Sequence, residues 1–380
     1  MGCQESKMKE NTTAERQSAD SSSSIPPVRQ RPPAECHGYP PPLLPKFSST
    51  SFCDVDFYID GEEQQPRLAC TLTWCKDGLG SADGSAKESE PTIDDVVRAS
   101  AILPSERRPP VVIVCHGFMS WRNQMLISHI AAGVAQRLNC HALRFDFRGN
   151  GHSGGAWRSA GFDGELCDLR RVVAYVRNEL GCDVLCIAGH SKGSAAVLRF
   201  ALEQEQKDHC RDGDGEIEKR TALVPCFVNL AGRFVVPGEF DVNTRFSKEQ
   251  CEELAKEGKF TMKIFGGREV EVTQEDIDER ANASSAFVSQ IRTSRVLTLH
   301  GTADTTVDVG SARRYDDSIL KHTLKLIEEA DHNFNGLKHI NDIVGSIADF
   351  IVAEKNHYIP VYHHQQQEDS ATEATDSKKR

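Results

Sequence analysis

Residues 184–202, VLCIAGHSKGSAAVLRFAL, contain the turn that decides the fold prediction. The apolar run 184–188 is typical of a buried strand, and the segment after the turn is typical of an apolar helix. Between them, Gly189, Ser191 and Gly193 fit the pattern G-x-S-x-G, a strand-to-helix turn that holds its serine in strained backbone geometry. The sequence therefore predicts a nucleophilic serine at the carboxyl end of a strand, where the following helix N-terminus favours developing negative charge.

Short apolar runs alternate with helical patterns on both sides of this turn. Continuous apolar runs are typical of strands buried on both faces of a parallel sheet. The β-α-β-α order predicts a mostly parallel, doubly wound α/β sheet with right-handed crossovers and a leading antiparallel pair. The predicted strands are 51–59, 68–74, 111–115, 142–147, 184–188, 226–230, 296–299 and 324–327, and the predicted helices include 127–138, 166–180 and 340–351.

Composition divides the chain into three parts. Residues 1–48 are rich in Ser, Pro and charge and cannot bury enough apolar surface to fold, and residues 356–380 have a similar character. We expect both segments to be disordered tails around one domain spanning 49–355. Within it, 234–291 interrupts the sheet pattern and contains two helix-start signals, Ser247 with Gln250 and Thr273 with Asp276, which predict a small helical cap.

Charge and cysteine content exclude several function classes. The chain of 380 residues has a net charge of -11 and no basic stripe, which argues against a nucleic-acid partner. No apolar run is long enough for a membrane-spanning helix. The 13 cysteines are odd in number and scattered, which is typical of reduced thiols in a cytoplasmic protein. We expect neither a metal site nor a cofactor.

A serine nucleophile needs a base, and the base needs an orienting acid. In the chain order serine, acid, histidine, Asp304 follows the strand that ends near Leu299, and His332 follows the last strand. Asp331 adjoins His332 and cannot easily reach back to its ring. His300 precedes the acid and is expected in a structural loop role, and turn roles with backbone hydrogen bonds are expected for His116, His152 and His190.

A second G-x-S-x-G match provides an internal comparison. Gly151, Ser153 and Gly155 satisfy the pattern, but the preceding strand ends several residues earlier and the next helix begins only near Glu165. The strand-turn-helix context is therefore missing. We expect Ser153 to lie in a loop and not to be the nucleophile.

The oxyanion of an acyl-transfer reaction needs two backbone donors. The first is expected to be the amide of Lys192, directly after the nucleophile. The second is expected from the HGF segment at 116–118, with the amide of Phe118. The Lys192 side chain is expected to be solvated, and a role for it in attracting an anionic substrate stays open.

Taken together, these motifs resemble the acyl-lipase, serine-aminopeptidase-like and cinnamoyl-esterase-like branch of the α/β-hydrolases. The resemblance covers 111–353, and GHSKG with AGRF is most similar to a subgroup of plant and other eukaryotic sequences. It implies the α/β-hydrolase fold, an acyl group bound under the cap and hydrolysis through an acyl-enzyme. The residue after the nucleophile departs from the usual Gln or Met of the branch. The matching runs are HGF at 116–118, FDFRGNGHS at 145–153, GHSKG at 189–193, AGRF at 231–234, HGTADTTV at 300–307 and ADHNF at 330–334.

The predicted chemistry is cleavage of a carboxylic ester or a related acyl bond in a small-molecule or lipid substrate. Two enzymatic alternatives stay open, a thioesterase acting on acyl-protein or acyl-CoA and a peptidase, because the same three residues serve all of them. A catalytically silent binding protein on the same fold is the alternative from another class. The intact Ser-Asp-His set argues against it.

The first residues carry a separate signal. Met1 to Ser6 fit the N-myristoylation pattern M-G-x-x-x-[ST], with Gly2 as the acceptor, and Cys3 is adjacent for palmitoylation. A single myristoyl chain binds a membrane only marginally, so a second lipid is expected. The sequence thus predicts attachment through Gly2 and Cys3 to the cytosolic face of a membrane.

Overall fold

The computed structural model describes residues 51–61, 65–76, 91–101, 108–209, 223–264 and 268–355. The two predicted tails lie outside these residues, and so do Gly2 and Cys3.

An eight-stranded sheet forms the centre of the protein, with strands in the order β1-β2-β4-β3-β5-β6-β9-β10. The first two strands pair antiparallel with each other, and β2 pairs antiparallel with β4, while the remaining neighbours are parallel. This confirms the predicted doubly wound sheet and its leading antiparallel pair. The strands of the protein are β1 Phe52–Ile59, β2 Leu68–Cys75, β3 Pro110–Cys115, β4 His141–Phe145, β5 Asp183–His190, β6 Cys226–Leu230, β7 Lys259–Lys263, β8 Glu269–Thr273, β9 Arg295–Gly301 and β10 His322–Ile327.

Helices cover both faces of the sheet. Alternate residues of β3 belong to different apolar clusters, with Val111 and Ile113 on one face and Val112 and Val114 on the other. Burial on both faces explains why the central strands are continuously apolar. The helices are α1 Ile93–Ala101, α2 Met125–Leu138, α3 Phe162–Asn178, α4 Lys192–His209, α5 Val242–Arg245, α6 Lys248–Glu257, α7 Gln274–Asn282, α8 Gly310–Ser318 and α9 Leu337–Lys355.

The segment between β6 and β9 forms the cap. Ser247 and Thr273 each make a capping box at the start of a helix, as the sequence predicts. The cap contains helices, as expected, and also an antiparallel hairpin of β7 and β8 that the sequence analysis did not predict. The alternating pattern of β8, with Val270 and Val272 buried between exposed glutamates, is the period-two signal of a half-buried strand.

The cap has its own apolar core, which packs against the main body. Its buried members include Phe260 and Ile277, and Trp157 of the main body joins them. Phe118 packs against the same cluster. The cap therefore contacts the loop that follows β3 directly.

All ten cysteines that the structure describes are unpaired thiols. Burial raises the pKa of Cys140 and of Cys226 to about 12, so these thiols are protonated near neutral pH. Among the described helices, we find none with the length and apolar character needed to span a bilayer.

Candidate active site

The turn between β5 and α4 is as tight as its glycines suggest. A methyl group added to Gly193 would lie 2.4 Å from the carbonyl oxygen of His116, and one added to Gly189 would lie 2.7 Å from the backbone of Gly193. Real Cβ atoms do not approach other atoms so closely, so both positions require glycine. Ser191 has φ of 52°, a conformation that costs a non-glycine residue energy and that its surroundings must impose.

The structure places Ser191, His332 and Asp304 in one hydrogen-bonded row. The Ser191 hydroxyl lies 3.0 Å from Nε2 of His332, and Nδ1 of the same ring lies 2.7 Å from Oδ2 of Asp304. These contacts join residues 141 and 28 positions apart in the chain. The fold brings them together because β5, β9 and β10 end at the same edge of the sheet.

Asp304 is fixed by groups that also keep it ionised. Its Oδ1 accepts hydrogen bonds of 2.8 Å from the backbone amides of Thr306 and Val307. Burial alone would raise the pKa of Asp304, but hydrogen bonds from His300, His332 and the Val307 amide outweigh it and lower that pKa far below its usual value. The carboxylate therefore remains charged at any pH at which the protein is expected to work.

Two other histidines support this row of residues. His300 does not lie in a loop, as was expected, but inside β9, where it is fully buried and its Nε2 lies 3.3 Å from Oδ2 of Asp304. His190, at the end of β5, has its Nε2 2.9 Å from the backbone oxygen of His332. Sequence reasoning gave these rings structural roles but missed that they contact the acid and the base.

Asp331 is engaged elsewhere. Its carboxylate accepts the amide of Asn335 at 2.9 Å and the side-chain amide of the same residue at 2.7 Å. The carboxylate of Asp331 is therefore bonded to Asn335, and Asp304 is the carboxylate that contacts the His332 ring.

Ser153, the second pattern match, is part of a buried backbone connection. Its hydroxyl donates to the carbonyl oxygen of Asp146 at 2.5 Å and accepts the amide of Ala69 at 2.9 Å. The residue lies in a loop after β4, as expected, and its two hydrogen bonds join that loop to β2 and to the end of β4.

The loop that carries Phe118 is tied to the end of β4 by Asp146. This fully buried carboxylate accepts the amides of Arg122 at 2.6 Å and His152 at 2.9 Å and pairs with the Arg122 guanidinium. At the other end of the loop, a methyl group on Gly117 would lie 3.0 Å from Cβ of Ser191. Phe118, the predicted oxyanion donor, therefore comes directly after Gly117, which packs closely against Ser191.

Lys192, the other predicted donor, is the first residue of α4. Its side chain is not solvated, contrary to the expectation, but is 8% exposed and lies 2.7 Å from Glu165, which is 9% exposed. Burial lowers the pKa of Lys192 and raises the pKa of Glu165, in each case against the opposing effect of the partner. The signal for this pair was Glu165 itself, a charged residue on the apolar face of the predicted helix.

Within the described ranges, no group of three or more His, Cys, Asp or Glu side chains is arranged to bind a metal ion.

Comparison with known proteins agrees with the fold. The family model described as alpha/beta hydrolase fold matches residues 110–212, which run from β3 through the serine turn. The protein has the α/β-hydrolase fold. In sequence, the chain is 26% identical over 249 residues to an uncharacterized protein of Saccharomyces cerevisiae, covering 60% of this chain and 70% of the yeast protein.

Solved structures share the fold at low sequence identity. A candidate hydrolase of Agrobacterium vitis is 20% identical with a TM-score of 0.54, covering 79% of this chain and 99% of its own. Est1E of Butyrivibrio proteoclasticus with bound ferulic acid is 15% identical with a TM-score of 0.54 and the same coverage. Alpha/beta hydrolase domain-containing protein 10 from mouse is 17% identical with a TM-score of 0.52, covering 78% and 98%.

A prediction about stability follows from the buried ion pair of Glu165 and Lys192. Glu165→Gln leaves the Lys192 ammonium buried without a counter-charge, which should lower the free energy of unfolding by about 3–5 kcal/mol. Urea unfolding followed by circular dichroism measures this. The double variant Glu165→Leu with Lys192→Met removes both charges and should recover most of the loss. An unchanged midpoint for Glu165→Gln would contradict the buried pair.

Proposed function

We propose that this protein is a serine hydrolase that cleaves a carboxylic ester through an acyl-enzyme. The observation that carries the proposal is the hydrogen-bonded row from Ser191 through His332 to Asp304, with distances of 3.0 and 2.7 Å. Nucleophile, base and orienting acid of this kind are the arrangement that activates a serine hydroxyl.

In the proposed reaction, Oγ of Ser191 attacks the acyl carbon and its proton passes to Nε2 of His332. Asp304, which stays ionised, holds the ring in the tautomer with a proton on Nδ1 and stabilises the imidazolium. The imidazolium then gives its proton to the departing alkoxide. Water, deprotonated by the same ring, then attacks the acyl carbon of the acyl-enzyme. The bond from that carbon to Oγ breaks, the imidazolium returns its proton to Oγ of Ser191, and the carboxylic acid is released.

The negative oxygen of each tetrahedral intermediate needs donors that are already in place. The amides of Phe118 and Lys192 are the proposed donors. In the described part of the chain, neither amide takes part in a hydrogen bond with another protein group. Lys192 also begins α4, so the helix N-terminus adds a favourable dipole at the same position.

Ester, thioester and amide substrates share this chemistry, and the leaving group distinguishes them. Turnover ranks the three bond types. Purified protein is assayed against 4-nitrophenyl esters of graded acyl length, against the matching thioesters and against the matching anilides. Our proposal expects turnover of the esters above the other two. Absence of turnover together with absence of fluorophosphonate labelling would favour a silent binding protein.

Replacement of the nucleophile has a matched control within the chain. Ser191→Ala should lower kcat for 4-nitrophenyl esters by a factor on the order of 10⁴ or more and abolish fluorophosphonate labelling. Ser153→Ala, at the other G-x-S-x-G match, should lose stability through its two buried hydrogen bonds but still be labelled. Labelling that persists in folded Ser191→Ala protein would refute the assignment.

Asp304→Asn tests the orienting acid. The amide oxygen can still accept the Thr306 and Val307 amides, so the loop should keep its shape. The amide nitrogen, however, then faces Nδ1 of His332 and favours the tautomer that cannot accept the serine proton. We expect a loss of about 10⁴ in kcat, measured on protein whose thermal unfolding is like that of the parent. Near-normal turnover would mean that another residue is the acid.

For a protein whose translation starts at Met1, we also propose attachment to the cytosolic face of a membrane through lipid on Gly2 and Cys3. The support is the sequence pattern alone. Two lipid chains are proposed because one myristoyl group gives only marginal binding, with a constant of about 10⁴ M⁻¹.

Fractionation of cells that express three forms tests the attachment. Gly2→Ala should move the protein to the supernatant, because it removes the myristoyl acceptor and the transient binding that presents Cys3 for palmitoylation. Cys3→Ser should leave a weakly bound, exchanging pool. Gly2→Ala protein that stays wholly in the membrane pellet would exclude the lipid anchor.

A further inference from the structure

A cavity of about 290 Å³ lies where the cap meets the main body. Three arginines line it, Arg233 after β6, Arg245 at the end of α5 and Arg280 in α7. Apolar contacts in the wall come from residues including Phe162, Phe234 and Val235. Several guanidinium groups around one small cavity are unusual in a chain whose net charge is -11.

The cavity adjoins the candidate active site, although Ser191 is not among the residues that line it. Arg233 donates to the carbonyl oxygen of Thr306 at 2.5 Å, and the amide of that residue is bonded to Asp304. On the other side, the guanidinium of Arg280 lies 4.9 Å from the ring centroid of Phe118, the proposed oxyanion donor. One cavity arginine is thus linked to Asp304 through Thr306, and another packs against Phe118 of the oxyanion loop.

A third connection runs along the nucleophile turn. Phe162 lines the cavity, and its ring centroid lies 5.5 Å from Nζ of Lys192, the residue after Ser191. These contacts connect the wall of the cavity with the turn that carries Ser191.

The positive charges in the cavity are incompletely matched by protein groups. Two carboxylates line it against three arginines: Glu239 pairs with Arg314 at 3.0 Å, and Asp241 accepts the neutral amide of Asn243 at 2.9 Å, which does not cancel its charge. Among the described residues, Arg245 forms no hydrogen bond or ion pair. Its charge is therefore available to a ligand.

The arginines also repel one another. Burial, and after it the nearby charge of Arg245, lower the pKa of Arg280 to about 10 against the opposing effect of carboxylates such as Glu165. Partial burial and the charge of Arg233 lower the pKa of Arg245 in the same way. An anion placed between these groups would relieve the repulsion, and the planar guanidinium fork suits the paired oxygens of a carboxylate or a phosphate.

We propose that this cavity binds an anionic group, a carboxylate or a phosphate, of the ester whose acyl bond is attacked by Ser191. The inference rests on the proposed hydrolase function and narrows its substrate class. The favoured substrates are half-esters of dicarboxylic acids and esters that carry a phosphate, and the neutral part of the molecule lies along the aromatic wall.

Arg245→Gln is the test variant, because the Arg245 side chain has no hydrogen bond or ion pair with a described residue, whereas Arg280 is bonded to Ser159 and its removal would disturb the fold. Two substrates of equal acyl length are compared, with the remote carboxylate free in 4-nitrophenyl hydrogen glutarate and masked as a methyl ester in methyl 4-nitrophenyl glutarate. The parent should prefer the anionic ester in kcat/KM. Arg245→Gln should lose about tenfold or more on the anionic ester and less than about twofold on the methyl ester.

Arg292→Gln is the matched control, since it removes the same charge from an exposed residue outside the cavity. It should leave the ratio of the two substrates unchanged. High salt should reduce the preference of the parent more than that of Arg245→Gln. Competition by free glutarate and by glycerol 3-phosphate against the methyl ester distinguishes the carboxylate from the phosphate as the preferred group.

Failure of this inference and failure of the hydrolase proposal give different results. Turnover of both esters with the same ratio in parent and Arg245→Gln would overturn the anion site and leave the hydrolase. Binding is also measured without turnover, by calorimetric titration of glutarate and of glycerol 3-phosphate into Ser191→Ala protein with and without Arg245→Gln. Heat of binding that requires Arg245 supports the site even if no ester is cleaved, and absence of binding by both anions refutes it.

Discussion

The contact between Gly193 and the carbonyl oxygen of His116 is the constraint on which the site depends. It lets α4 start directly against the end of β3, and no residue with a Cβ fits there. The turn is held from the other side by the amide of Ser191, which donates to the carbonyl of Leu230 at 2.7 Å. Held by both neighbouring strands, Ser191 keeps its positive φ, and its hydroxyl points away from the sheet toward His332.

The acid of the site is held by uncharged groups, and this has a chemical consequence. Backbone amides of Thr306 and Val307 fix Asp304 without neutralising it, whereas an arginine partner would take up much of its charge. The full negative charge then remains for the imidazolium that His332 becomes in the proposed reaction. By contrast, the buried carboxylate Asp146 is paired with Arg122 and serves to connect loops.

Much of this arrangement could be predicted from the sequence because it depends on local patterns and chain order. Local patterns predict the continuous apolar strands, the glycines around Ser191 and the capping residues Ser247 and Thr273. Each of these features depends only on residues a few positions away in the sequence. The hairpin β7–β8 was missed because strong helix-start signals flank it and its strands are only five residues long. The contact of His300 with Asp304 was missed because a contact between a strand and a later loop leaves no signal at either residue alone. The partner of Lys192 left a signal only at Glu165, and nothing in the sequence joins that residue to Lys192.

The cavity arginines also explain how a negatively charged protein can favour an anionic substrate. Charges more than about 8 Å apart are largely screened at physiological ionic strength, so the net charge of -11 has little influence on an ion already under the cap. Arg245, which makes no ion pair with a described residue, by contrast acts at contact distance, where attraction is stronger. In the proposed anion site, the local arrangement of charge, and not its sum over the chain, therefore determines the preference among substrates.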